Sequence, residues 1–289
     1  MTTTTNTSLT INGLAGSLNS ALYDFLVTAL GWSRPYVSSN VSVYRQPSGT
    51  NQMYLRVDDS AGTTATIRAY AAMSDVNTGT DPFPTVAQAS SGLTYTKSDS
   101  ATSATRQFIA ISNGSLLHFF NSTTASQWSS SNLLTFGDVP SLKPNDLYNT
   151  YLMAGTPSEA VAGAANINAA STGHYICRAH TNTGSALAVG KYSDGTTGAL
   201  TTPFGGSGPA YPSPVSGRMR LLQLLINEPG ASDTRALLPG IWGIGHTTGR
   251  CRTHGETDTG AGALSGRTFM FVHLGTAGSM CAIETSNTW

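Results

Sequence analysis

The sequence predicts a mainly β fold, antiparallel sandwich- or barrel-like units with one N-terminal α-helix. Three observations carry that expectation. Only one segment, near the start, has apolar residues at helical spacing. Almost everything after Pro35 alternates in period two or runs apolar in short bursts. Gly, Pro, Asn and Asp punctuate those bursts at short intervals. Many short strands with frequent turn signals pack as sheet faces sharing a core.

The helical stripe is Leu18, Leu22, Phe25, Leu26, Ala29 and Leu30, recurring at three- and four-residue spacing. Ser17 or Asn19 is placed to cap its N-terminus, and Gly31 stands where a left-handed C-cap belongs. Trp32 and Pro35 then end it. Such a stripe packs either on a sheet of its own chain or on a neighbouring subunit. Ahead of it, residues 1–12 are Thr-rich and are expected to order only against a partner.

Strand patterning begins with Met53, Leu55 and Val57 on one face and Tyr54 and Arg56 on the other. Ala65, Ile67 and Ala69 match them on a return strand after the turn that begins at Asp58-Asp59. An acidic loop follows from Asp75, punctuated by Gly79 and ending at Pro82-Phe83-Pro84. Residues 107–111 and 116–120 flank Ser112-Asn113-Gly114-Ser115, and Asn-Gly between apolar runs is a strong hairpin signal because both central residues must tolerate positive φ. In the second half, 174–180 and 185–191 flank Thr181-Asn182-Thr183-Gly184. Residues 218–227 form a strand ended by Glu228-Pro229-Gly230, and 267–274 with 279–284 make a last hairpin around Gly275-Thr276-Ala277-Gly278. The stretch 156–173 is small and polar, and 198–214 is a long Gly/Pro-rich loop. The expected division is a tail and helix at 1–35, a first β domain at 36–158 and a second at 159–289, or the β parts merged into one domain.

Charged residues make up only 10% of the 289 positions, against about 25% in ordinary domains. Lys plus Arg equals Asp plus Glu at 15 each, and no basic run occurs. Nucleic-acid binding needs clustered cations to displace counterions from phosphates, so the balance argues against it. At 39% hydrophobic, with aromatics throughout, the chain is expected to fold. A Thr/Ser/Asn/Gly surface with so few charges has weak electrostatic protection against self-association, which suits a face covered by neighbours. Three cysteines, Cys177, Cys251 and Cys281, and no charged-then-apolar leader point to folding in a reducing cytosol with buried thiols. No apolar run approaches the roughly 18 residues of a membrane helix. The Asn-x-Ser/Thr matches at Asn6, Asn40, Asn113 and Asn121 are expected by chance in so Ser/Thr-rich a chain.

Catalytic signatures are largely absent. There is no Gly-x-Ser-x-Gly elbow and no His-Glu-x-x-His helix, and Gly243-Ile244-Gly245 and Gly260-Ala261-Gly262 lack dinucleotide spacing. His174, Cys177, His180, Cys251 and His254 superficially have zinc-ligand spacing. On a strand, however, residues three apart project to opposite faces, so His174 and His180 can share a site that Cys177 cannot join without a bulge. Cys177 reads as a core residue, and His246, Arg250, Arg252 and His254 as a polar, partner-facing loop. Asp58, Asp59, Asp75 and Asp81 lack the regular spacing of a calcium loop and read as turn formers. Glu228, Glu256 and Glu284 are too far apart in sequence to be read as a hydrolytic pair. No cofactor is called for.

Several segments remain: Tyr54-Leu55-Arg56-Val57-Asp58-Asp59, Ala72-Met73-Ser74-Asp75-Val76-Asn77-Thr78-Gly79, Phe136-Gly137-Asp138-Val139 and Gly173-His174-Tyr175. With them go Tyr211-Pro212-Ser213-Pro214, Leu238-Pro239-Gly240-Ile241-Trp242 and the closing Glu284-Thr285-Ser286-Asn287-Thr288-Trp289. Together these resemble a family of tailed-bacteriophage virion structural proteins, over roughly residues 40–289. The resemblance implies a non-enzymatic protein of the head, neck, tail or baseplate, assembled in the host cytoplasm and held by other virion proteins and copies of itself. It carries over no catalytic residue. The candidate contact groups are Trp32, the loop from Asp75 to Phe83, Ile241, Trp242 and Trp289. Residues 237–242 read as an apolar loop, either tucked into the chain's own core or inserted into a neighbour. The alternatives are a receptor- or glycan-binding fibre module using exposed aromatics, and an envelope-polymer hydrolase.

Overall fold

The computed structural model describes residues 4–6, 10–124, 131–155, 174–181, 187–188, 191–192, 221–227, 234–244, 254–273, 280–286 and 289. Two short strands, β1 (Thr4–Asn6) and β2 (Thr10–Ile11), lead to α1 (Ser17–Leu22), which runs directly into a π-helical stretch, Tyr23–Ala29. An antiparallel N-terminal sheet follows: β3 (Ser33–Ser38), β4 (Val41–Arg45), β5 (Tyr54–Asp58), β6 (Thr64–Met73), β7 (Gly79–Phe83) and β8 (Leu93–Thr96). Its order is β3-β4-β5-β6-β7, with β8 also on β6. A second sheet holds β9 (Arg106–Ser112), β10 (Leu116–Ser122), β11 (Ser131–Asp138), β12 (Thr150–Gly155), β13 (His174–Ile176) and β14 (Leu187–Ala188) in chain order, with β1 and β2 antiparallel to β9. The third sheet contains β15 (Lys191–Tyr192), β16 (Leu221–Asn227), β17 (Thr234–Ile244), β18 (Thr257–Thr259), β19 (Thr268–His273) and β20 (Met280–Glu284) in the order β15-β16-β17-β20-β19-β18.

Alternate residues of the second sheet serve two different cores. Phe108, Ala110, Leu117, Phe119, Leu134, Phe136, Leu152 and Ala154 face the helix and the N-terminal sheet, against Leu55, Val57 and Ile67. Ile109, Ile111, Leu116, Phe120, Leu133, Tyr151 and Met153 face the C-terminal sheet, against Leu224, Leu238, Val272 and Ile283. The second sheet is therefore the middle layer of three. An antiparallel sheet with one wet face alternates apolar and polar residues, whereas one covered on both faces reads as a continuous apolar run. Leu116-Leu117-His118-Phe119-Phe120, buried throughout, is such a run.

The mainly β, antiparallel architecture with a single N-terminal helix is the one the sequence predicts. The expected division at 158/159 falls within the middle sheet, where β12 pairs with β13 and Leu152 lies opposite Tyr175. Residues 1–35 are likewise not set apart: β1 and β2 pair with β9, and Ile11 is buried in the first core. The described N-terminal strands thus have a pairing partner inside the chain. Residues 156–173 and 198–214, and the turns at 182–184, 228–230 and 275–278, lie outside the described residues.

The helix differs from expectation at its start. Gly16 takes the N-cap position in a left-handed conformation, and no side chain at that position caps the helix. Ser17 donates its hydroxyl to the Asn12 carbonyl, and Asn19 donates its amide to the Asn40 and Val57 carbonyls. The free N–H groups of Leu18 and Asn19 instead donate to Asp59 Oδ2, at 2.8 and 3.2 Å, across some forty residues of chain. The far end is as expected. Gly31 is left-handed, its N–H donates to the Val27 carbonyl, and Leu22, Phe25 and Leu26 are fully buried.

Candidate interaction surface

Three of the residues singled out as contact groups belong to the chain's own cores. Trp32 is 2% exposed, donates its indole N–H to the Gly114 carbonyl at 2.9 Å and meets Phe136 edge-on. Phe83 is fully buried and stacks on the same Phe136 ring. Ile241 packs into the second core. Each fills space between sheets, so none offers apolar surface to a neighbour, and the expectation is corrected for all three.

The apolar segment 237–242 is strand rather than loop, for a local reason. Leu224 of β16 opposes Leu238 and the preceding Gln223 opposes Trp242, so Pro239, Gly240 and Ile241 bulge out of the β16 pairing. Gly240 sits at φ +79°, and the Trp289 ring lies where its Cβ would point. Trp289 also donates its indole N–H to the Glu284 carbonyl at 2.7 Å and lies 5.3 Å from His118. His118, fully buried on the middle sheet, bonds the Pro239 carbonyl at 2.8 Å and the Thr135 hydroxyl at 2.9 Å. Trp289 therefore fastens the bulge to the middle sheet from within. Gly240→Ala forces a left-handed alanine and a clash with that ring. It is expected to cost about 1–2 kcal/mol, read as a lower urea midpoint with an unchanged slope.

Trp242 lies half-buried on the outer face of the C-terminal sheet. It meets Phe269 edge-on at 6.0 Å, carries the Arg267 guanidinium 5.9 Å above its ring and donates its indole N–H to Glu284 at 3.2 Å. Asp75 is exposed, and its Oδ1 accepts the N–H groups of Asn77 and Thr78 at 2.6 and 2.8 Å. Those bonds, Asn77 first, hold its carboxyl below the usual range. Asp75 is a turn former, as its sequence context suggests.

The surface with the clearest capacity for contact is one the sequence did not single out, the loop at 141–149 between β11 and β12. Leu142 and Leu147 are 56% and 67% exposed, two of the five large apolar side chains left open among the described residues. Beneath them the loop is tied to β17. Ser141 bridges Ala236, the Leu142 N–H donates to the Arg235 carbonyl at 2.6 Å, and the Leu237 N–H donates to the Pro140 carbonyl at 3.1 Å. Arg235 and Asp146, both without exposed side-chain surface, form a two-pronged pair with Nε on Oδ2 and Nη2 on Oδ1, each at 2.8 Å. Ser141 and the Tyr148 N–H also donate to that carboxylate, and Arg235 also donates to the carbonyls of Tyr148 and Arg178. Burial pushes the Asp146 carboxyl up, but the bonds from Arg235, Ser141 and Tyr148 outweigh it and hold the group below its ordinary value.

Arg178 extends this surface. Its guanidinium lies over the Tyr148 ring at 5.6 Å and pairs with Asp81. The segment expected as an acidic loop, which is strand β7 from Gly79 to Phe83, thus meets the loop at 141–149 through one arginine. Aromatic, arginine and exposed leucine side chains on a braced backbone match the core composition of protein interfaces. Nothing in the sequence marks Leu142 and Leu147 as exposed, because lone leucines in polar loops are more often buried.

The suggested ligand groups are dispersed. Tyr175 and Cys177 face the first core and Ile176 the second, so His174, two residues before Ile176, points away from Cys177. Burial pushes the Cys177 thiol up to about 12, the mark of an inert core cysteine. His254 belongs to the C-terminal sheet region, 5.6 Å from His273, and Cys251 lies outside the described residues. Asp58 caps a turn at Ser60, Asp59 caps the helix and Asp81 pairs with Arg178. Among the described residues no group of three His, Cys, Asp or Glu side chains is arranged to hold a metal ion, and no helix is long and apolar enough to cross a membrane. No protein-family model matches the chain, and no curated protein is significantly similar to it.

Proposed function

We propose that this chain is a non-enzymatic structural component of a tailed-phage virion. In this reading it acts through contacts with neighbouring virion proteins and with copies of itself, and it binds neither nucleic acid nor membrane. The observation that carries the reading is the loop at 141–149, where a fully buried Arg–Asp fork braces two exposed leucines. Ordering a loop on binding costs conformational entropy, and a loop already fixed avoids that cost.

The distribution of charge supports the same reading. Lys97, Asp59, Arg235, Asp146, Arg106 and Glu284 are turned inward, in a chain with only 30 acidic and basic residues. Three of the six are cations and three anions, so the charges that remain still balance, and copies of a neutral protein do not repel one another. Modest contacts repeated over many copies then give tight assembly through avidity.

The test is incorporation. Purified particles should contain the wild-type chain at fixed stoichiometry, and the double variant Leu142→Ser/Leu147→Ser should enter at a reduced level. Covering the open half of a leucine is worth about 1 kcal/mol, so the pair should weaken docking by roughly thirtyfold. Both side chains already face water, so the melting temperature should not move. Equal incorporation of the double variant removes the loop as the contact, and a wild-type chain absent from particles ends the proposal.

A further inference from the structure

We propose that Lys97 and Asp59 condense into an intramolecular amide, a covalent staple from the residue after β8 to the residue after β5. The two side chains are in direct contact, Nζ on Oδ1, and neither has any exposed surface. Both backbones are pinned. The Lys97 N–H donates to the Thr63 carbonyl at 2.9 Å, and the Asn121 amide donates to the Lys97 carbonyl at 3.0 Å. Asp59 is held by its N–H to the Asn40 carbonyl at 3.0 Å and by its own carbonyl to the Gly16 N–H at 2.9 Å. Amine and carboxyl thus meet with almost no freedom left to lose, a situation worth an effective concentration of roughly 10⁵ M or more.

The surroundings favour the chemistry as well as the encounter. Oδ2 accepts the N–H groups of Leu18 and Asn19, and two backbone donors on one carboxyl oxygen are the arrangement that stabilises an oxyanion. Nζ also donates to the Leu14 carbonyl at 2.7 Å, which holds the amine in place beside the carboxyl. Burial raises the Asp59 carboxyl above its ordinary value, outweighing the bond and charge of Lys97, so the carboxyl is disposed to take up a proton.

The step balances without a co-reactant. A proton passes from the Lys97 ammonium to the Asp59 carboxylate, and the Nζ lone pair attacks Cγ to give a tetrahedral centre with its negative oxygen at Oδ2. A proton then moves from Nζ to Oδ1, the Cγ–Oδ1 bond breaks, one water leaves and the Nζ–Cγ amide remains. Nothing is oxidised or reduced. The product removes two buried charges, whose desolvation opposes the uncondensed pair, and the absence of solvent protects the new amide from hydrolysis.

Intact-mass spectrometry of the denatured full-length protein decides the matter. The wild type is expected one water lighter than its sequence requires, and a tryptic digest should contain a branched peptide joining the segments that carry Lys97 and Asp59. Lys97→Met should show the full mass for its own sequence, a readout that does not depend on whether the variant folds. A wild type at its full sequence mass overturns the proposal, as does a water deficit that persists in Lys97→Met.

Discussion

Asp146→Ala is expected to destabilise the protein by about 3–5 kcal/mol, the largest loss predicted for any single side chain here. The substitution leaves the Arg235 guanidinium fully buried without its counter-charge, and it removes the acceptor of the Tyr148 N–H as well. Arg235→Met should cost a similar amount by leaving the carboxylate unpaired. The double variant Asp146→Leu/Arg235→Met should recover part of either loss, because removing both charges removes the desolvation penalty along with the attraction. Urea unfolding of the four proteins measures this directly. Equal losses in the single and double variants would show that volume rather than charge governs the site. The sign with pH follows from the carboxyl's depressed value. Stability from Asp146 is fully present above its unfolded value and is lost as pH falls through the lower, folded one.

Acidification through the histidine range is the second large effect. Burial lowers the His118 imidazole from 6.5 to about 4, partly opposed by the Pro239 carbonyl, and burial lowers His174 to about 3. Both are neutral in the fold at pH 7. Below pH 6.5 the unfolded chain takes up protons that the folded chain refuses, so stability falls with pH. The loss from His118 accumulates between 6.5 and about 4, and that from His174 continues to about 3. At about 1.4 kcal/mol per tenfold change in proton affinity, the His118 effect is roughly 3 kcal/mol. Unfolding midpoints at pH 7.5, 5.5 and 4.5 should fall in that order. His118→Gln should flatten the profile by the His118 share, and subtracting it from wild type removes the contribution of every other titrating group. An unchanged profile in the variant would assign the acid sensitivity elsewhere.

What could be read from residues alone follows physical range. The hairpin around Asn113-Gly114 is local chemistry, with Gly114 at φ +96° and Asn113 Oδ1 accepting the N–H groups of Ser115 and Leu116. The pairing of β5 with β6 was legible for the same reason, since Leu55 and Val57 alternate with Tyr54 and Arg56 over adjacent segments. Contacts over long spans left no trace. Asp59 caps a helix about forty residues earlier, and Asp146 meets Arg235 across 89 residues, and neither separation has a spacing rule. Aromatic identity also misled. Trp32 and Phe83 have the composition of interface anchors, but the same area and shape serve a core equally well, and only their contacts with Phe136, distant in sequence, decide which. The layer count was half visible: the apolar run at Leu116–Phe120 marks a strand wetted on neither side, but it does not say what covers each side.

The sheet common to both cores has a consequence for how such a gene can be altered. A recombination or truncation near residue 158 would separate β12 from β13 and leave each fragment with a raw oily plane. Neither fragment would stay dispersed in water by itself. The protein is therefore expected to be inherited, exchanged and denatured as an indivisible block, with tolerated variation confined to its outer loops.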